Sequence, residues 1–187
     1  MPPLVDRALA ALGLLVLSPF LLAAAIWIRL DSRGPVIYRQ LRVGEGERPF
    51  EMWKLRTMVP GSDPVGVGTA VLRDDPRVTR AGAFLRRTSL DEVPNLVNVL
   101  RGEMAIVGPR PGLAAHTEHF GIAGHRRFEV KPGITGWAQV QGRAGIPWEE
   151  RIELDAWYAE HRSALLDYRI LARTVWLVIT GQGLAPD

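Results

Sequence analysis

The chain has no cysteine in its 187 residues. Disulfides and thiolate metal sites are thereby excluded, and a reducing compartment is permitted. Internal repeats, low-complexity tracts and linkers long enough to separate two folding units are also missing, which excludes a solenoid or a string of domains. Lysine is nearly absent: Lys54 and Lys131 are the two lysines among 23 basic residues, set against 20 acids for a net charge of +3. The basic character is therefore arginine's, a planar cation suited to phosphate oxygens and anionic lipid. With 47% apolar residues, the chain can bury the core of one domain.

One segment lacks charge entirely. Ala8 to Ile28, 21 residues, would be roughly 31 Å long as a single helix, about the hydrocarbon thickness of a bilayer. Ser18-Pro19 falls in its middle. Proline removes a backbone hydrogen bond and crowds the preceding turn, so a sharp kink is expected, with each half reaching about half-way into a bilayer. Proline also occurs in helices that cross, so a span and a hairpin both fit the residues. Arg7 precedes the run, and Arg29, Arg33, Arg39 and Arg42 follow it, which by the positive-inside tendency puts the larger C-terminal part in the cytoplasm.

Val36 to Val43 and Pro49 to Leu55 are rich in β-formers and joined by Gly44-Glu45-Gly46-Glu47, the pattern of a small β-hairpin. Its second strand delivers Lys54 and Arg56, cations that either reach phosphates or are merely solvated. Met58 to Arg80 reads as a loop, and its Gly66-Val67-Gly68 lacks the third glycine of a nucleotide fingerprint. Leu90, Val93, Leu96, Val97 and Leu100 recur at helical spacing, predicting an amphipathic helix from Leu90 to Arg101 that Gly102 stops. Its start has two registers: Ser89 with Glu92 as a capping box, or Asp91 as N-cap with Pro94 in the first turn. Both place Asp91 and Glu92 at the positive end of the helix dipole, favouring ionised carboxylates that hold a cation or attack as anions.

Arginines keep that pair company. Arg86, Arg87 and Arg101 flank it, and Arg110 stands between Pro109 and Pro111, which limit the entropy lost in presenting a guanidinium. Acids able to hold a divalent ion, beside cations able to bind phosphate, are the minimal kit for phosphoryl transfer. His116 and His119 could share a helix face but lack a matching third metal ligand. In Lys131 to Arg143, KPGITGWAQVQGR, turn-formers alternate with Trp137, Gln139 and Arg143; this reads either as a packed loop or as a site where an aromatic stacks and an arginine takes a phosphate. Trp148 to His161 and Leu165 to Ile179 are predicted helices, the second with Tyr168 and Trp176 suited to a membrane interface or, alternatively, to a core.

Three stretches together carry a resemblance: WKLRTM at Trp53 to Met58, TSLDEVPNLVNVLRGEMAIVGPRP at Thr88 to Pro111, and KPGITGWAQVQGR. In that order, over roughly Val5 to Leu184, the chain resembles the bacterial sugar transferase family of monotopic phosphoglycosyl transferases. The resemblance implies transfer of a sugar 1-phosphate from a UDP-sugar to a polyprenyl (undecaprenyl) phosphate, with release of UMP. It further implies magnesium (Mg2+) as cofactor, Asp91 and Glu92 as catalytic and metal-binding acids, and an aspartyl phosphosugar intermediate. Arg86, Arg110, Lys54 and Arg56 are expected to bind substrate phosphates, and Trp137, Gln139 and Arg143 the nucleotide.

The implied fold is α+β and mainly helical. Residues 1–33 would form a re-entrant membrane helix-break-helix turning at Ser18 and Pro19, and residues 34–187 a catalytic domain with a β-hairpin and amphipathic interfacial helices. That domain is expected on the cytoplasmic face of a bacterial inner membrane, as a monomer or homo-oligomer. Two departures stand out: Pro2, Pro3, Leu4 and Val5 replace a Lys-Arg pair usual ahead of Asp6, and Gln141 replaces a commoner asparagine. A non-catalytic membrane scaffold is the rival function, disfavoured by the intact acidic pair and Arg110. A nucleic-acid binder is disfavoured by the long uncharged run.

Overall fold

The computed structural model describes residues 1–62, 75–113, 121–142 and 146–180. The uncharged run forms one long helix, α1 (Pro3–Asp31). Pro3 sits at its first turn, where a missing N–H costs nothing. At 29 residues it is about 43 Å long. The helix continues through Pro19, and the reason is local. Proline at 19 leaves the carbonyl four residues earlier without its donor, and that carbonyl, Leu15 O, accepts from the Ser18 hydroxyl at 2.8 Å. The serine of the Ser-Pro pair supplies the hydrogen bond that the proline removes.

The helix lies lengthwise on the rest of the molecule. Asp6, Ala10, Ala24 and Ile28 are its buried residues, with spacings that keep them on one stripe. At the N-terminal end Asp6 Oδ1 accepts from Ile106 N at 3.1 Å. At the C-terminal end the Arg56 guanidinium donates to Ile28 O and Ser32 O, at 3.3 and 2.7 Å, and Asp31 Oδ2 accepts from Ala81 N at 2.9 Å. The opposite face is apolar and bare: Leu4 is 78% exposed, Leu15 72% and Leu30 82%, with Leu12, Val16, Phe20, Leu22 and Ile26 also exposed.

The hairpin is present, as β1 (Ile37–Val43) and β2 (Pro49–Leu55), antiparallel with Tyr38 opposite Lys54. After it come α2 (Arg80–Thr88), α3 (Asn95–Arg101), β3 (Ala105–Val107), β4 (Gly112–Leu113), α4 (Gly121–Arg126), β5 (Gly133–Thr135), α5 (Trp137–Gln141), α6 (Trp148–His161) and α7 (Ala164–Thr180). Strand β4 adds to the free side of β1, while β3 and β5 make a separate parallel pair. The main core joins Ala10 of α1, Phe50 and Met52 of β2, Val99, Ile106, Val107, Tyr158 and Ile170. The fold is thus a mainly helical α+β architecture with a long apolar helix and two small sheets. Helix α7 buries Asp167, Ile170 and Leu177 and, like α1, leaves large apolar side chains outside: Leu165, Tyr168, Val175, Trp176, Val178 and Ile179.

Glycines set the approach of β3 to β5. A Cβ on Gly133 would lie 2.1 Å from Gly108 N, and one on Gly136 2.2 Å from Gly108 O. The sequence reading allowed these glycines a close approach to a ligand; they serve a close approach of backbone to backbone. Because the obstruction is main chain, no rotamer relieves it. Gly133→Ala should therefore cost about 3 kcal/mol, against about 1 kcal/mol for Gly46→Ala, where a Cβ at φ +63° meets nothing within 4 Å. Thermal unfolding in detergent measures both; equal losses would show that the β3–β5 apposition yields.

Candidate active site

The predicted helix from Leu90 to Arg101 is divided in the structure. Ser89 adopts a left-handed conformation, φ 56°, that closes α2. Leu90–Glu92 make a single 3-10 turn, and α3 begins only after Pro94, which is its N-cap. Neither expected cap operates: Ser89 makes no side-chain cap bond, and α3 takes Pro94, not Asp91, as its N-cap. Pro94 has no N–H to extend the turn backwards, so Asp91 and Glu92 stand ahead of α3 on their own turn. Gly102, at φ 80°, stops α3 as expected.

That turn brings the acids against β2 and the segment after β3. Glu92 Oε1 accepts from Lys54 Nζ and from Arg110 Nη2, both at 2.7 Å, and Glu92 Oε2 lies 3.5 Å from Arg110 Nη1. Burial alone would raise the Glu92 carboxyl, but Arg110 and Lys54 outweigh it and hold it well below the usual carboxylate range. The Lys54 ammonium is lowered by burial in spite of Glu92. Asp91 is different. Among the described residues its carboxylate has no hydrogen bond or ion pair, and burial together with the adjacent Glu92 charge pushes it up to about 6 in spite of Lys54, Arg110 and Arg86. Arg86, anchored by Nε to Thr57 Oγ1 at 3.0 Å, feels the Asp91 charge in turn.

Asn98 holds this arrangement from behind. Its Oδ1 accepts from Trp53 N at 3.1 Å and its Nδ2 donates to Glu51 O and to Glu103 Oε2, at 2.6 and 2.7 Å. Fully buried, it ties α3 to the strand that carries Lys54. Sequence reasoning passed over it, although an asparagine between the apolar Val97 and Val99 is the kind of buried amide that needs partners.

Other expected site residues lie elsewhere. Arg56 is buried and spends its guanidinium on Ile28 O, Ser32 O and Pro35 O, so it braces α1 and does not join the cluster. Trp137 stacks on Trp157 at 5.2 Å between ring centroids. Gln139 donates from Nε2 to Ile134 O at 3.0 Å, leaving Oε1 buried without a partner. Both sit as packed residues at the β5–α5 junction, Trp137 against the main core. Arg143, His116 and His119, with Gly66-Val67-Gly68, lie outside the described residues.

A half-buried carboxylate clasping two cations, next to a second carboxylate with no hydrogen bond or ion pair among the described residues, can be compared with what is known of other chains. The family described as bacterial sugar transferase matches residues 2–181. This chain belongs to that family. It is 47% identical over 180 residues to an Escherichia coli protein named UDP-glucose:undecaprenyl-phosphate glucose-1-phosphate transferase, covering 91% of this chain and 38% of that protein. It is 41% identical over 181 residues to sugar transferase EpsL of Bacillus subtilis, covering 97% of this chain and 88% of the other. A relative in Aeromonas hydrophila, 39% identical over 184 residues, is named UDP-N-acetylgalactosamine-undecaprenyl-phosphate N-acetylgalactosaminephosphotransferase; the match covers 95% of this chain and 43% of that protein. The chain thus spans well under half the length of several relatives it matches.

The magnesium expected from the sequence can be set against the donor set. Among the described residues no group of three or more metal-ligating side chains occurs. Magnesium does not need one, since it is commonly bound by one or two carboxylates plus substrate phosphates and water. Asp91, an oxygen donor with no hydrogen bond or ion pair among the described residues, fits that habit; Glu92, with Oε1 shared between two cations, fits it less well.

The Asp91 carboxyl binds its proton more tightly folded, at about 6, than its ordinary value of 3.8. Its charge therefore opposes folding above about pH 6, and the penalty fades as pH falls toward 4. With EDTA present, Asp91→Asn should raise the unfolding midpoint at pH 7.5 by about 2–4 °C, and this advantage should vanish by pH 4. A midpoint that is lower at pH 7.5 would show that the carboxylate is not under electrostatic strain.

Proposed function

We propose that this chain transfers a sugar 1-phosphate from a UDP-sugar to a polyprenyl phosphate such as undecaprenyl phosphate, releasing UMP, on the cytoplasmic face of a bacterial inner membrane. The observation that carries this reading is the convergence of Asp91 and Glu92 with Lys54, Arg86 and Arg110. Two carboxylates among three cations suit a diphosphate donor, whose negative charge must be offset before an anion can approach it. Relatives named for glucose and N-acetylgalactosamine donors share this chain's sequence, and those donors share the UDP moiety. The gathered side chains suit phosphate, so the reading stops at the class of UDP-sugars.

The chemistry proposed for Asp91 is nucleophilic. Ionised near neutral pH, yet more basic than an ordinary carboxylate, its oxygen attacks the sugar-bearing phosphorus of the donor. The bond from that phosphorus to the bridging oxygen breaks, and UMP leaves with the electron pair. An oxygen of the polyprenyl phosphate then attacks the phosphorus of the aspartyl phosphosugar and restores the Asp91 carboxylate. Magnesium held by Asp91 and substrate phosphates would supply charge neutralisation. Arg86 and Arg110 bind the donor's phosphate oxygens, Lys54 adds a compact positive charge, and Glu92 keeps Lys54 and Arg110 in place until the donor arrives. Incubating the protein with magnesium and a UDP-sugar labelled in its sugar, with no lipid acceptor, should put label on the Asp91 peptide and release UMP. Turnover by Asp91→Asn at the wild-type rate would sink the assignment.

The membrane arrangement we propose is supported by α1. Residues 1–33 serve as the membrane-facing element and residues 34–187 as the catalytic unit. Both ends of α1 are fastened to one body, through Asp6 and Ile106 at one end and Ile28 and Arg56 at the other, while most of the large side chains it exposes are apolar. A helix crossing perpendicularly would carry its two ends to opposite faces. A helix that enters and leaves one leaflet, re-entrant about Ser18 and Pro19, keeps both ends with the catalytic unit. A cysteine introduced at Pro3 should therefore resist an impermeant thiol reagent in intact cells and react after permeabilisation; labelling from outside would establish a true span.

A further inference from the structure

The Pro109-Arg110-Pro111 segment has no N–H at either proline, so its backbone is held through its carbonyls. Three consecutive carbonyls are taken by three different elements. Pro109 O accepts from Gly133 N of β5 at 2.9 Å. Arg110 O accepts from Arg127 Nη2 at 2.6 Å. Pro111 O accepts from Arg42 Nη1 of β1 at 3.1 Å. The peptide planes on either side of the Arg110 Cα are thus both pinned, one by Gly133 and one by Arg127. Pinning both planes sets the two backbone dihedrals of Arg110, and with them the direction in which its side chain leaves the chain.

The two guanidiniums are held at electrostatic expense. Arg127 is buried and paired with the buried Asp155 of α6 at 2.7 Å, a kind of pair that replacement by apolar side chains often leaves equally stable. Arg42 is half-buried, bonded through Nε and Nη2 to the neutral amide of Gln40, and burial and the charge of Arg110 push it down to about 10. Stability alone does not account for either. Arg127 fixes the peptide plane that follows the Arg110 Cα, and Arg42 fixes the next plane along the same segment.

We propose that Arg42 and Arg127, the latter backed by Asp155, are positioning residues that aim the Arg110 guanidinium into the Glu92 site. The inference rests on the reading above that Arg110 binds donor phosphate. It requires no contact between Arg42 or Arg127 and the substrate. Two cations on separate elements, β1 and the turn after α4, thereby reach the chemistry through one shared residue. Helix α6 is drawn into the site as well, because Asp155 fixes where Arg127 points.

A double-mutant cycle tests this. With donor kcat/KM measured in detergent on full-length protein, Arg42→Met and Arg127→Met should each lower activity about tenfold. In an Arg110→Gln background the same changes should cost less than about twofold, since nothing is left to aim. Arg42→Lys, which can still donate to the Pro111 carbonyl, should recover most of the activity of Arg42→Met. Equal losses in both backgrounds overturn the inference, because they would mean that these arginines act on the substrate or the fold independently of Arg110. If Arg127→Met does not fold, the exposed-side cycle with Arg42 decides alone. Wild-type activity in Arg110→Gln itself would instead overturn the placement of Arg110 in the site, and the inference with it.

Discussion

A single carboxylate oxygen, Glu92 Oε1, lies 2.7 Å from both a lysine ammonium and an arginine guanidinium, and the site is arranged around that point. Partly withdrawing Lys54 and Glu92 from water is costly unless each is satisfied, and the half-exposed Arg110 supplies the second cation. Lys54 arrives from β2, Glu92 from a turn ahead of α3, and Arg110 from the segment after β3. Each comes from a separately braced element, so the contact cannot relax by moving one loop. The neighbour bears the consequence: with Glu92 locked in its ionised form, Asp91 is left as the carboxylate that is harder to ionise. Two adjacent acids are driven apart in proton affinity by which one holds the cations, the usual way that a pair of carboxylates comes to have two roles.

The membrane constraint acts on the same elements. Because α1 is held along its inner stripe, its outer apolar face and that of α7 remain uncovered by protein. Exposed apolar area of that extent marks an interaction surface, for a membrane or for a protein, and α1 is long and apolar enough to enter a membrane. The Ser18–Leu15 hydrogen bond bears directly on it: in hydrocarbon an unpaired carbonyl costs several kcal/mol, and a hydroxyl one residue before the proline meets that demand within the helix. The Ser-Pro pair therefore tolerates a bend without exposing an orphaned acceptor to lipid. Arg56 closes the other end by donating to carbonyls at the last turn of α1, where a cation also suits the helix dipole.

How much of this the sequence disclosed varies with the physics involved. The hairpin, α6 and α7 were legible because alternation, turn residues and helical spacing are local signals. The Asp91, Glu92, Lys54 and Arg110 grouping was legible only through their company, since their convergence depends on three long-range contacts. The bonds of Arg56 to the end of α1 were not legible, because they depend on where α1 ends in space, which alternation along β2 does not report. The start of α3 was misread because both capping registers assumed that Ser89 leads into a helix, whereas its left-handed backbone ends the previous one. Trp137 was legible as an aromatic in a glycine-rich segment, but not its partner Trp157, twenty residues away.

Asn98 shows how a small fold can do without another strand. Strand β2 pairs with β1 along one edge, and the other edge would present open N–H and C=O groups. The Asn98 amide takes the N–H of Trp53 and the C=O of Glu51, the same two groups, two residues apart, that a neighbouring strand would use. One side chain thus seals the edge and fixes α3 against β2 in a single register. Because Lys54 is the next residue in that strand and the acidic turn immediately precedes α3, the register decides whether the ammonium meets Glu92 or misses it. A slip by one residue would turn Lys54 to the opposite face of the sheet. The amide in the helix and the ion pair in the site are in this sense one constraint, imposed at two ends of a short lever.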